Sequence, residues 1–378
     1  VVQAPDGKAP EGVNLVIYDL DEQKTVESFQ LKETPNTVVA SGGRRLGALI
    51  PDGPALPMRF VDGGVRWAGG EATKQAPSVL SFELPTEDAW PFSAQGSWVS
   101  IFEFGGVARF VRVDEGLIKG SPTTVNIDTG NPHFGFGAAL GDVLFTTVAS
   151  EPDGDVVSVR AHDTAGKALG EPFACPGASG RAVLPGKIAF TCADGILVIR
   201  ESTGGLSGKK TAYPDADRFV GDNFFAFQGL GVFAGDYRYG GEADPAPPPR
   251  LMRFDPETEV FSFLDLPGDY WALRPEPHSD GAHLVVLDGV FKQVSDVGNL
   301  RVIDVKDWKD EGTVAIPGLN YTGPWGWFSR LAVGPGWAYV SASLTGEIVQ
   351  IELATRKTER ITLGGSPGEL DLLGIRME

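Results

Sequence analysis

Short apolar or alternating runs, each closed by Gly, Asp or Asn, recur along the whole chain. The clearest unit is Trp337–Gly365: WAYVSAS, a turn at LTGE, the run IVQIEL, a charged turn at ATRK, and the alternating run TERITL. These read as three consecutive strands, and SPGELDLLGI (Ser366–Ile375) reads as the inner strand of the next unit. Strands in fours at a period of about 40–55 residues are the signature of a β-propeller.

Looser copies fill the rest. LGALIPDG (Leu46–Gly53), SWVSIFEFGG (Ser97–Gly106), DVLFTTVAS (Asp142–Ser150), KIAFTCADG (Lys187–Gly195) and HLVVLDG (His283–Gly289) fit the second strand and its turn. VNLVIYDLDE (Val13–Glu22), DVVSVRAHD (Asp155–Asp163) and NLRVIDVKD (Asn299–Asp307) fit the third. Inner strands are placed near Pro35, Asp88, Pro132, Ala178, Ala216, Tyr270, Trp325 and Pro367. The expectation is an all-β chain forming one closed propeller domain over residues 1–378, with eight four-stranded blades; seven is the main rival. The N-terminal VVQAPDG resembles a second strand, so the two ends complete one blade and leave no free edge. No amphipathic stretch of three helical turns interrupts the pattern.

Composition changes this picture little. The 50 Gly and 28 Pro suit many tight turns. With 32 basic against 50 acidic residues the net charge is −18, which argues against nucleic acid and anionic membrane surfaces as partners and permits cations. No run of 18 apolar residues predicts a membrane span. The abrupt start at Val1 fits a processed or truncated secreted chain.

Cys175 and Cys192 are the two cysteines. One falls just before an inner strand and the other in the second strand that follows. They read either as a disulfide or as two buried thiols, and the absence of CxxC or Cys/His zinc spacing favours the disulfide. A disulfide implies an oxidising, extracytoplasmic compartment, periplasmic or secreted.

NIDTGNPHFGFGAALGDVLFTT (Asn126–Thr147) and FACPGASGRAVLPGKIAFTCADGILVI (Phe173–Ile199) resemble the periplasmic zinc metallochaperone propellers that serve bacterial zinc ABC importers. The Cys-Pro-Gly…Cys-x-Asp-Gly pair is the most specific element. The resemblance implies an extracytoplasmic propeller, a Cys175–Cys192 disulfide, and zinc binding with transfer to a metal-binding periplasmic solute-binding protein. The family's ligand positions differ here. Its His/Asp-rich loop is VDGGVRWAGGEATKQAP (Val61–Pro77), without His. Its His-His is His133–Phe134, and its Leu-His-Gly-Glu is Ala178–Ser179–Gly180–Arg181. Zinc takes three or four ligands with His or Cys prominent, so the departures imply weakened or altered zinc binding.

The starts of the inner strands converge on one mouth of the central channel. That places His133 with Asp88, Asp215, Asp217 and Asp269 as candidate ligands for a hard or borderline cation. Arg181, Tyr270, Trp325 and Trp327 are candidates for a small organic ligand. His162 lies in a polar segment and reads as solvated. His278 and His283 flank a turn in PEPHSDGAH and can meet across a hairpin around a metal. No GxSxG, HExxH or Walker sequence is present, and no catalytic residue is named. The leading expectation is a non-enzymatic extracytoplasmic binding propeller, with zinc bound weakly. The alternatives are a protein-interaction scaffold and a lyase or hydrolase working at the channel mouth.

Overall fold

A computed structural model describes residues 1–4, 13–31, 35–40, 45–51, 56–68, 70–87, 89–240, 247–266, 272–289, 297–319, 329–363 and 365–374. Its strands sort into eight four-stranded antiparallel sheets, with a small hairpin of Val65–Ala68 and Glu71–Lys74 inserted in one of them. The chain is the all-β propeller the repeat predicts.

Strand position within a blade is written in the side chains. Second strands are apolar on both faces because each is sandwiched between neighbouring blades: Trp98–Glu103 (WVSIFE) is buried at every position. Outer strands alternate, because one face meets water: Thr124–Asp128 (TVNID) alternates exposed and buried, and Thr358–Thr362 (TERIT) exposed and half-buried. Eight apolar clusters each join one blade to the next. They run from the cluster of Val13, Leu15 and Leu49 around to that of Ala332, Tyr339, Leu370 and Leu372. Stability is therefore spread around the ring.

Both chain ends meet in one blade, as expected. Ser366–Pro367 is its inner strand, and it pairs with Val2–Ala4, which pairs with Val13–Asp19. The helix Glu115–Ile118 is a single turn, started by the Asp114 carboxylate accepting the Gly116 and Leu117 N–H groups. Among the described residues no helix is long and apolar enough to cross a membrane.

A recurring hydroxyl fixes where inner strands begin. Thr147 accepts the Phe136 N–H, Thr191 the Gly180 N–H, and Ser341 the Arg330 N–H. Each takes a backbone donor that the ladder has not yet satisfied. Cys175 and Cys192 form a disulfide across Cα atoms 5.0 Å apart, tying the end of one blade to the second strand of the next.

Candidate metal centre

Asp88, Asp269, Tyr270, Trp325 and Trp327 lie outside the described residues. His133 does not open an inner strand: that strand is Gly137–Leu140, and His133 sits in the loop leading to it. It is 3% exposed. Nδ1 lies 2.7 Å from the Asn131 carbonyl oxygen, Nε2 lies 3.0 Å from Thr147 Oγ1, and the ring packs edge-on against Phe102. Both ring nitrogens are thus engaged inside the protein. Burial pushes the His133 pKa down against these two bonds. Arg181 opens its inner strand, as expected, but its guanidinium lies over the Phe136 ring, 4.9 Å from the centroid, and donates to the Ser179 carbonyl. Asp215 accepts the Asp217 N–H and faces Arg218 at 3.5 Å, so these two residues shape the turn before their strand.

His162 departs from its reading as a solvated residue. It is 5% exposed, with Nε2 3.1 Å from Thr146 Oγ1 and Nδ1 3.3 Å from the Gly166 carbonyl oxygen. It is a structural histidine.

The hairpin histidines do meet. Ala272–Pro277 is an inner strand and His283–Gly289 the second strand beside it. The connecting turn lies at the end of the inner strand, on the face opposite its start and so opposite the expected mouth. Asp280 builds this turn with one oxygen: Oδ1 accepts the Ala282 and His283 N–H groups at 2.8 and 3.0 Å. Gly281 supplies the positive φ of 66° that L side chains resist. The other oxygen faces both imidazoles: Oδ2 lies 2.8 Å from His278 Nδ1 and 2.6 Å from His283 Nδ1. Burial alone would raise the Asp280 pKa, but the Ala282 N–H and the two imidazoles outweigh it and hold it at about 2. The carboxylate is ionised at any working pH.

On its other side His283 presents Nε2 to Glu311 Oε2 at 3.4 Å, and it is paired across the ladder with Asp304. The ligand atoms of His278, Asp280 and His283 lie within 4.8 Å of one another, as do those of His283, Asp304 and Glu311. Among the described residues neither group includes His133, Asp215 or Asp217. Two imidazoles and a carboxylate form a donor set suited to a borderline divalent cation such as zinc, with water completing the shell.

Asp280, Asp304 and Glu311 were not singled out from the sequence as ligands. The Asp between two histidines in HSDGAH was the available signal. Asp304 and Glu311 come to the site only through strand register.

No family profile matches the chain. Over 376 residues it is 22% identical to the zinc chaperone AztD of Citrobacter koseri, spanning 95% of this chain and 83% of that one. Two solved structures of Citrobacter koseri AztD, one of them the apo protein, match with TM-scores of 0.80 and 0.81 at 19% and 20% identity. Each match covers 100% of this chain and 98% of the other. The resemblance to the zinc-chaperone propellers therefore extends along nearly the whole chain.

Proposed function

We propose that this chain, similar throughout to a zinc chaperone, is an extracytoplasmic propeller that binds a divalent cation reversibly, zinc being the best fit. The cation site is the turn between the inner and second strands of the blade at 272–317. One observation carries the reading: Asp280 Oδ2 sits between His278 Nδ1 and His283 Nδ1 at 2.8 and 2.6 Å. The disulfide supports the compartment, since such bonds persist outside the reducing cytosol. A site with two imidazoles and one firm carboxylate, partly open to water, exchanges its cation readily, so binding is weaker than in a closed four-ligand site. The partner we infer is an extracytoplasmic metal-binding protein that takes the cation by ligand exchange. The role needs no catalysis.

The test is zinc titration against a chromophoric chelator, using protein purified without added metal. One zinc per chain is expected. His283→Ala should abolish binding, because it removes the residue common to both groups, and Asp280→Asn should weaken it at least tenfold. His133→Ala should leave binding unchanged. A tight site that survives both His283→Ala and Asp280→Asn would refute the assignment.

A further inference from the structure

The two imidazoles of the turn are not equivalent, and the difference lies in what faces the nitrogen turned away from Asp280. A histidine that binds a metal through one ring nitrogen carries a proton on the other, and that N–H needs an acceptor. His283 has one: its Nε2 faces the Glu311 carboxylate. His278 has the reverse. Its Nε2 accepts the Gly336 N–H at 3.0 Å. Gly336 belongs to the turn between Leu331–Gly334 and Trp337–Ala342, in the next blade. The bond therefore ties the turn of one blade to the turn of its neighbour.

The arrangement is self-consistent. The Gly336 N–H donates to Nε2, which leaves the ring proton for Nδ1, where Asp280 Oδ2 lies at 2.8 Å; the Asp280 N–H also approaches Nδ1, at 3.3 Å. A cation at Nδ1 displaces that proton to Nε2 in the neutral ring. The Nε2–H and the Gly336 N–H then face each other at hydrogen-bonding distance, where the Nε2 lone pair had accepted the amide. A cation at Nε2 would occupy the lone pair that Gly336 uses. Either mode breaks the contact.

We infer that loading the cation through His278 releases the Gly336 turn of the neighbouring blade, so that the empty and loaded proteins differ at the rim shared by the two blades. His283, with Glu311 as its acceptor, is the anchoring ligand, and His278 joins at the expense of an inter-blade bond. The device rests on the cation reading above and gives a partner a surface that reports occupancy.

Hydrogen–deuterium exchange of the full chain, with and without stoichiometric zinc, tests this directly. The peptide spanning residues 331–337 should exchange faster at the Gly336 amide when zinc is bound, by about tenfold for the loss of one hydrogen bond. The corresponding turn at Gly186, in the blade of residues 181–212, serves as the internal control and should not change. In His278→Ala, which leaves no side-chain acceptor, the Gly336 amide should exchange fast with or without zinc. Zinc bound at one equivalent, by chelator competition, with Gly336 protection unchanged would overturn this inference alone: the cation would then be held by His283 and carboxylates without His278. No zinc bound at all would overturn both this inference and the function proposed above.

Discussion

Gln3 pairs with Pro367 across an antiparallel ladder, and through that pairing the two ends of the chain form one blade. The same segment carries Leu370 and Leu372, buried against Ala332, Tyr339 and Ile348, and Glu369, 2% exposed, which pairs with Arg330. Removing residues 366–378 therefore takes away an inner strand, two core leucines and the partner of a half-buried arginine. Each buried leucine contributes about 1.5–3 kcal/mol, and a domain has only about 5–15 kcal/mol in total. The truncated chain should melt well below the intact protein and self-associate through the uncovered edge, as read by differential scanning calorimetry and light scattering. An unchanged melt in a monomeric truncation would mean that the ring does not depend on this closure.

The disulfide gives a second prediction. Cys175 and Cys192 are separated by 17 residues, and closing a loop of that size stabilises by about 3 kcal/mol in the chain-entropy model. Thiol titration of denatured, unreduced protein should find no free thiol. Reduction, or the double substitution to Ala, should lower the denaturant midpoint with the fold retained, because blade packing around Phe145, Phe190 and Ile199 remains. Two reactive thiols in the unreduced protein would contradict the bond and weaken the compartment assignment.

Much of the architecture was legible because propeller blades impose a strong period. Inner-strand starts at Pro35 and Ser366 fall within a residue of their expected places, where a turn residue marks the entry. The inner strand expected near Pro132 begins at Gly137, since the backbone runs on through His133 and Phe136 before Thr147 captures the Phe136 N–H. That slip moves His133 out of the strand and into the lead-in loop, where it is wedged against Phe102. The candidate metal cluster was half legible. His278 and His283 are close in sequence, so their meeting follows from a local turn. Glu311 reaches His283 from the outer strand of the blade, and Gly336 reaches His278 from another blade. Neither contact can be read without the three-dimensional register.

Asp288 and Arg301 form an ion pair buried in the same blade as His278, Asp280 and His283, with side chains 4% and 6% exposed. Asp288 Oδ2 accepts from Arg301 Nε at 2.7 Å, and Oδ1 accepts both the backbone and side-chain N–H groups of Asn299. Removing Asp288 takes away the more buried of two carboxylates on Arg301, the other being Asp310 at 3.1 Å; breaking a buried pair typically costs about 3–5 kcal/mol, and Asp310 keeps the loss toward the lower end. Asp288→Ala should therefore destabilise strongly in chemical unfolding. The double substitution Asp288→Leu with Arg301→Met should recover only part of that loss, since it removes the buried pair but also takes the guanidinium from Asp310, which lies nearer the surface. Equal destabilisation by the single and double variants would show that the backbone bonds to Asn299, and not the charge, dominate.

His133 and His162 carry the last prediction, because both are buried neutral and both have folded pKa values pushed below the ordinary 6.5, chiefly by burial. The unfolded chain then binds more protons than the folded one as pH falls below about 6.5, and folding stability must fall with it until the folded pKa values are reached. Above pH 7 both rings are neutral in either state and the effect vanishes. Stability measured by urea unfolding should therefore drop between pH 7 and pH 5. His162→Gln should flatten that slope, as should His133→Gln, even though each variant loses a pair of hydrogen bonds and is less stable at pH 7. Zinc uptake separates this structural role from a metal role. If His133 is only a wedge between Asn131, Thr147 and Phe102, His133→Gln binds zinc as the parent does while losing its share of the pH slope. If zinc binding disappears with His133 and persists in His283→Ala, the cation belongs to the channel mouth after all, and the turn at Asp280 is a structural knot of two histidines around one carboxylate.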